Sequence, residues 1–220
     1  MVFHGVDMSN YELRPATLPH RGQRLALRIL QLFGWTVRYK PLPGPHGVLV
    51  IYPHTSNWDF AIGLLGRWAL GLPIHWLAKA SLFRGVSGVL FGDLLRKWGG
   101  VPVERGVASG TTARLAEQIH ASEWFWLALA PEGTRSYKPH WRSGFYHLAL
   151  AARVPLVMVY IDYACKELGA IDSIRLSGER DADMAAVAAA YAGREGLDPQ
   201  RAAPVALAPP HAPGDAGKQA

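Results

Sequence analysis

Gly47-Val48-Leu49-Val50-Ile51-Tyr52-Pro53-His54-Thr55-Ser56-Asn57-Trp58-Asp59 runs from an unbroken apolar stretch through a short polar turn into a second, longer apolar segment. A brief apolar run bounded by turn residues is the pattern of a strand buried on both faces. Trp58 to Leu70 then has the length of a helix. The same alternation continues outward from this stretch. Strand signals recur at Ile74–Ala78, Val101–Glu104, Trp124–Ala130 and Pro155–Ile161, and helical stretches fall at Leu82–Trp98, Thr111–Ala121 and Gly144–Ala152. The expectation is a single layered α/β domain whose largely parallel or mixed central sheet is flanked by helices. Ligands of such sheets gather beyond the carboxyl ends of the strands.

The turn after the first strand carries the most pointed chemistry. Five residues along an ideal helix turn the chain by roughly 500°, which would leave His54 and Asp59 about 140° apart. The two side chains therefore meet only if the chain bends between them. With Ser56 as N-cap of a helix beginning at Asn57, His54 lies in the turn and Asp59 in the first helical turn, within reach of the imidazole. A carboxylate on one ring nitrogen fixes the tautomer and leaves the other nitrogen to accept a proton. A plainer reading stands beside this one: Ser56-x-x-Asp59 also fits a helix start, with an acidic side chain favoured near the positive end of the helix dipole.

A second motif, Pro131-Glu132-Gly133-Thr134-Arg135-Ser136, follows the strand signal Trp124–Ala130. Glycine lets backbone approach a ligand, arginine grips phosphate oxygens in pairs, and hydroxyls add donors. These residues suit an anionic head group, and they also suit an ordinary turn with an exposed arginine. Gly99-Gly100-Val101-Pro102-Val103-Glu104-Arg105 brings another arginine to a strand end, where Arg105 shares the anion or is simply solvated.

The whole chain narrows the alternatives. Its 220 residues are 50% hydrophobic and 18% charged, enough for one sizeable core and too apolar for a disordered protein. The lone Cys165 excludes an internal disulfide, and no Cys/His cluster has the spacing of a zinc site. No metal is expected. Met1–Asn10 lacks the apolar core of a signal peptide, and Phe60–Ala78, the most membrane-like window, is interrupted by Gly66, Arg67, Gly71, Pro73 and His75. The expectation is a cytoplasmic protein, at the cytoplasmic face of a membrane. Residues 1–45 and 46–171 each carry a net charge of +4 and residues 172–220 a net −2, so anionic partners are favoured. No nucleic-acid motif is present, and nucleic acid is not an expected partner. Oligomeric state is not written in the sequence.

Four segments emerge. Residues 1–45 hold a basic amphipathic helix within Arg21–Tyr39, with Leu25, Ile29, Leu32 and Phe33 on one face and Arg21, Arg24, Arg28 and Gln31 on another. That helix either packs on the domain or lies on an anionic bilayer. Residues 46–171 form the catalytic domain, residues 172–201 an extension with a short helix over Asp181–Ala192, and residues 202–220 a disordered tail rich in Ala, Pro and Gly. Trp35, Trp68 and Trp76 are core residues or an apolar lipid contact.

In this order, the pieces resemble the lysophospholipid (glycerolipid) acyltransferases related to bacterial 1-acylglycerol-3-phosphate acyltransferase. His54 and Asp59 match the family's His-x4-Asp motif, Gly99, Gly100 and Arg105 its glycine-to-arginine motif, and Glu132-Gly133-Thr134-Arg135 its Glu-Gly-Thr-Arg motif. Val154-Pro155-Leu156-Val157 matches the apolar fourth motif, with Met158 where many members have a second proline. The resemblance spans residues 47–160. It implies transfer of an acyl group from a thioester, acyl-CoA or acyl carrier protein, to a hydroxyl of a lysophospholipid or related glycerolipid. His54 would be the general base and Asp59 its support, with no cofactor and no enzyme nucleophile. Glu132, Gly133, Thr134, Arg135, Arg105 and Gly100 would hold the acceptor's polar head, and backbone donors near His54 or Gly133 would stabilise the oxyanion. A thioesterase-like hydrolase and a non-catalytic peripheral lipid-binding protein are the alternative readings.

Overall fold

A computed structural model describes residues 20–79, 92–103 and 111–209. Its strands are β1 (Thr36–Arg38), β2 (His46–Ile51), β3 (Ile74–Lys79), β4 (Gly100–Val103), β5 (Phe125–Leu129), β6 (Leu156–Asp162) and β7 (Glu167–Ile174). They form one mixed sheet in the order β1-β7-β6-β2-β5-β3-β4. The five strands from β6 to β4 run parallel, whereas β7 is antiparallel to β6 and carries β1 beside it in parallel. The single α/β layered domain expected from the sequence is the one observed.

The helices are α1 (His20–Leu32), α2 (Trp58–Leu70), α3 (Asp93–Lys97), α4 (Thr111–Ala121), α5 (Gly144–Ala151) and α6 (Arg180–Tyr191). Successive strand residues face opposite layers. Val48 and Val50 of β2 accordingly join Leu127, Leu156 and Met158 in a core with residues of α4, α5 and α6. Leu49 packs with Trp126 and Val157 on the other face, the side on which Ile62 of α2 meets Leu30 of α1. Full burial of each such side chain contributes about 1.5–3 kcal/mol. Gly47 is required by this packing: a Cβ there would lie 2.2 Å from the Trp126 ring.

Two strands escaped the sequence reading. The helix read over Arg21–Tyr39 stops at Leu32, because Gly34 takes a left-handed φ of 79°, a conformation glycine adopts without penalty. The chain then extends into β1, tied to β7 by the Arg38–Glu167 ion pair at 2.7 Å. The buried stripe of α1 is Ala26 and Leu30, one helical turn apart, while Leu25, Leu32 and Phe33 are exposed. Trp35 is buried, and Trp68 and Trp76 are half-buried.

The segment beyond residue 171 is part of this architecture. Met184, Val187 and Tyr191 of α6 lie in the main core, and the Tyr191 hydroxyl donates to the Val50 carbonyl at 2.5 Å. Of the stretch read as a tail, residues 202–209 are described, and Ala203 and Leu207 are buried. Leu207 bridges to Trp141.

Candidate active site

Strand order explains how distant motifs meet. β2 lies between β5 and β6, with Val50 opposite Leu129 on one side and Ile51 opposite Val159 on the other. The chain leaving β2 at Tyr52, through a cis Tyr52–Pro53 peptide, therefore emerges beside the turn that begins at Pro131 and beside Tyr163. His54, Glu132 and Tyr163 come from three adjacent strand ends.

Within the first turn, His54 Nδ1 lies 3.1 Å from Asp59 Oδ2. The same oxygen accepts the Ser56 backbone N–H at 2.8 Å, and the Trp58 N–H donates to Ser56 Oγ at 3.2 Å. Both readings of Ser56-x-x-Asp59 hold together: one carboxylate secures the helix start and holds the imidazole. The helix begins one residue later than expected, with Asn57 as N-cap making no side-chain cap bond.

Asp59 is 2% exposed. Burial alone would raise its pKa, but hydrogen bonds from His54, the Ser56 N–H and the Tyr163 hydroxyl outweigh that and hold the carboxyl below its ordinary value. It stays ionised at neutral pH. With Asp59 on Nδ1, that nitrogen carries the proton and Nε2 is free to accept one.

Glu132 requires a correction. It is 2% exposed and turned inward: Oε2 accepts the His54 N–H at 2.6 Å, and Oε1 accepts the Ala203 N–H at 2.9 Å. Both oxygens serve backbone donors, so from the wall of the cavity the carboxylate braces the His54 turn, a part the motif alone does not suggest. The backbone donors suggested for the oxyanion are likewise engaged, that of His54 by Glu132 and that of Gly133 by the Ala130 carbonyl at 3.1 Å.

Gly133 has φ 65°, and a Cβ there would fall 2.5 Å from Arg142 Nε. Only glycine admits both the backbone turn and the guanidinium above it. Thr134 Oγ1 accepts the Ser136 N–H at 3.3 Å, which shapes the turn and leaves Arg135 exposed on the rim. Gly100 also departs from expectation. It opens edge strand β4 opposite Trp76, three strand spacings or roughly 14 Å from β2, and takes no part in the site. The end of the motif, Arg105, lies outside the described residues.

A cavity of about 1900 Å³ joins these groups. Its apolar wall lies between α2, with Phe60 and Gly63, and the sheet, with Leu49 and Val159. His54 and Asp59 stand at one side, and Arg135, Lys138 and Arg142 border it. The only carboxylates among its described lining residues are Asp59 and Glu132, both already occupied. Lys138 and Arg142 were missed by the sequence reading, although they continue the basic run that starts at Arg135.

A strap between α6 and residue 207 closes the site from behind. The Asp198 N–H donates to Thr55 Oγ1 at 3.2 Å, and the Tyr163 N–H donates to the Glu195 carbonyl at 2.9 Å. A Cβ on Gly196 would meet Thr55 Oγ1 at 2.5 Å, so the strap lies directly on the histidine turn. No local signal marked it.

Comparison with known proteins adds an identification of type. A family model described as Acyltransferase matches residues 36–162. No curated protein matches the chain significantly in sequence. Among solved structures, the 1-acyl-sn-glycerophosphate (LPA) acyltransferase PlsC from Thermotoga maritima is similar with a TM-score of 0.49 and 18% identity, over 74% of this chain and 72% of that one.

Proposed function

Because that family match spans more than half of its 220 residues, the chain belongs to the acyltransferase family, and from this premise we propose that it moves a fatty acyl group from a thioester donor, acyl-CoA or acyl carrier protein, to a hydroxyl of a lysophospholipid or related glycerolipid. The observation that carries the proposal is the 3.1 Å contact between His54 Nδ1 and Asp59 Oδ2 at the wall of a cavity that Arg135 also lines.

In this reading His54 Nε2 removes the acceptor's hydroxyl proton as its oxygen attacks the thioester carbonyl carbon. The tetrahedral intermediate collapses, the carbon–sulfur bond breaks, and the departing thiolate takes the proton from the imidazolium. Asp59 holds the ring and balances its transient charge. The thioester supplies an activated acyl group, so neither enzyme nucleophile nor cofactor is needed. Arg135, Lys138 and Arg142 take the phosphate of the acceptor, and the apolar wall beneath α2 takes the acyl chain.

Purified protein given a long-chain acyl-CoA, or the same chain on acyl carrier protein, together with lysophosphatidate should release thiol only when the acceptor is present. Mass spectrometry should find the diacyl product. Thiol release at the same rate without acceptor would replace this reading by hydrolysis.

The enzyme meets its lipid, we further propose, at the cytoplasmic membrane face through α1. Leu25, Leu32 and Phe33 remain 59%, 82% and 66% exposed beside exposed Arg21, Arg24 and Arg28, an apolar and cationic combination suited to an anionic interface. Among the described residues no helix is long and apolar enough to cross a membrane. Sedimentation with phosphatidylglycerol vesicles at about 0.15 M salt should fall at least tenfold in a Leu32→Glu/Phe33→Glu variant, and binding to phosphatidylcholine should be weaker throughout. Equal sedimentation of variant and parent would dismiss this surface.

A further inference from the structure

We propose that Tyr163 is a positioning residue of the His54–Asp59 pair, selecting which carboxylate oxygen faces the imidazole; this rests on the acyl-transfer reading above. Its hydroxyl donates to Asp59 Oδ1 at 2.7 Å. The other oxygen, Oδ2, receives His54 and the Ser56 N–H. A carboxyl group rotates about a roughly two-fold torsion, so both oxygens are candidates for the imidazole unless something distinguishes them. Here the distinction is made by a phenol on Oδ1.

Three features fit Tyr163 for that task. Burial and the hydrogen bond to Asp59 push the phenol's pKa upward, so its proton remains in place across the working range and it acts as a donor. The ring is braced edge-on by Trp35, with centroids 5.0 Å apart and planes at 88°. Its backbone is fixed by the N–H to the Glu195 carbonyl at 2.9 Å. Tyr163 is half-buried and is not among the residues lining the cavity. It acts on the substrate only through Asp59, and His54 is the group that touches the reacting atoms.

The role is also a matter of polar satisfaction. Asp59 is 2% exposed, and among the described residues no hydrogen bond to Oδ1 other than the phenol's is present. Without the phenol, that oxygen loses a hydrogen bond to a charged acceptor in a buried setting. The carboxylate then gains by rotating toward any remaining donor, and the imidazole loses a defined partner.

Tyr163→Phe keeps the ring against Trp35 and removes one O–H. Assayed with a long-chain acyl-CoA and lysophosphatidate, its kcat should drop about 10- to 100-fold while KM for each substrate stays within about twofold. In the uncomplexed protein, the downfield proton resonance of His54 Nδ1 should shift or broaden. A correctly folded variant with unchanged kcat and an unchanged Nδ1 resonance would overturn the inference. Should Tyr163→Phe fail to fold, 3-fluorotyrosine incorporated at Tyr163 preserves the fold and makes the phenol a stronger donor; it should move the same resonance, and no movement would again overturn the role. His54→Ala separates the two levels. If that variant is inactive while Tyr163→Phe matches the parent in rate and resonance, only the positioning role falls; if His54→Ala keeps full activity, the acyl-transfer reading falls with it.

Discussion

His54→Ala should lower kcat for acyl transfer by about 2 to 4 orders of magnitude, and should also cost about 1–3 kcal/mol of stability, because the buried Asp59 carboxylate loses the Nδ1 hydrogen bond. The loss should appear equally in kcat and kcat/KM, because the proton is taken in the transition state and not on binding. Asp59→Asn should approach the same loss for a different reason: an amide presents its NH2 or its oxygen to His54 and cannot serve the Ser56 N–H, the imidazole and the Tyr163 hydroxyl alike. The pH dependence has a definite sign. Asp59's folded pKa is depressed, so its contribution to stability is present above the unfolded value of about 3.9 and is lost as pH falls through the folded pKa. Orientation of His54 by an ionised Asp59 therefore persists at neutral pH and fails only as pH falls through the depressed folded pKa. Steady-state kinetics of the two variants, with urea unfolding between pH 3 and 7, would measure both effects; full turnover in folded His54→Ala would remove the base from the mechanism.

Glu132→Gln should be costly through the two backbone groups that the side chain holds. Each carboxylate oxygen accepts one buried N–H, from His54 and from Ala203. Glutamine offers one acceptor and one NH2 group, so a donor faces a donor at one of the two places. Leaving one buried N–H without an acceptor costs about 1–3 kcal/mol. Release of the His54 backbone should also displace the base, and a displacement near 1 Å is worth about 100-fold in rate. Urea unfolding and kcat should thus both decline. A variant with parental stability and rate would show that the turn at His54 holds its shape without Glu132.

How much of this was readable in advance depended on distance along the chain. Strands β2, β5 and β6 are short, largely buried apolar runs and stood out as such, as did the apolar signals of β3 and β4. β1 is three residues with an exposed-intermediate-exposed pattern, attached to a helix whose periodicity masked the stop at Gly34. β7 includes Gly169, Asp172 and Ser173, too polar to resemble its neighbours, because it lies toward the sheet edge. The contact between His54 and Asp59 was legible because five residues of chain can be bent on paper. Glu132 was assigned to substrate because its motif looks like an anion clamp. What turns it inward is the pairing of Val50 with Leu129, which sets its carboxylate under the His54 N–H, and only the strand order supplies that. Tyr163 stands 104 residues from Asp59 and carries no motif at all.

The strap after α6 has a bearing on where the working unit of this chain ends. Its Asp198 and Ala203 N–H groups hold Thr55 and Glu132, yet both lie well past residue 162, where the family match stops. A fragment trimmed to the matched borders would retain every signature residue and lose the backbone that keeps two of those turns in place. Sequence borders drawn from shared motifs therefore understate the enzyme, in which backbone groups of residues 195–203 brace turns encoded in its first and middle parts.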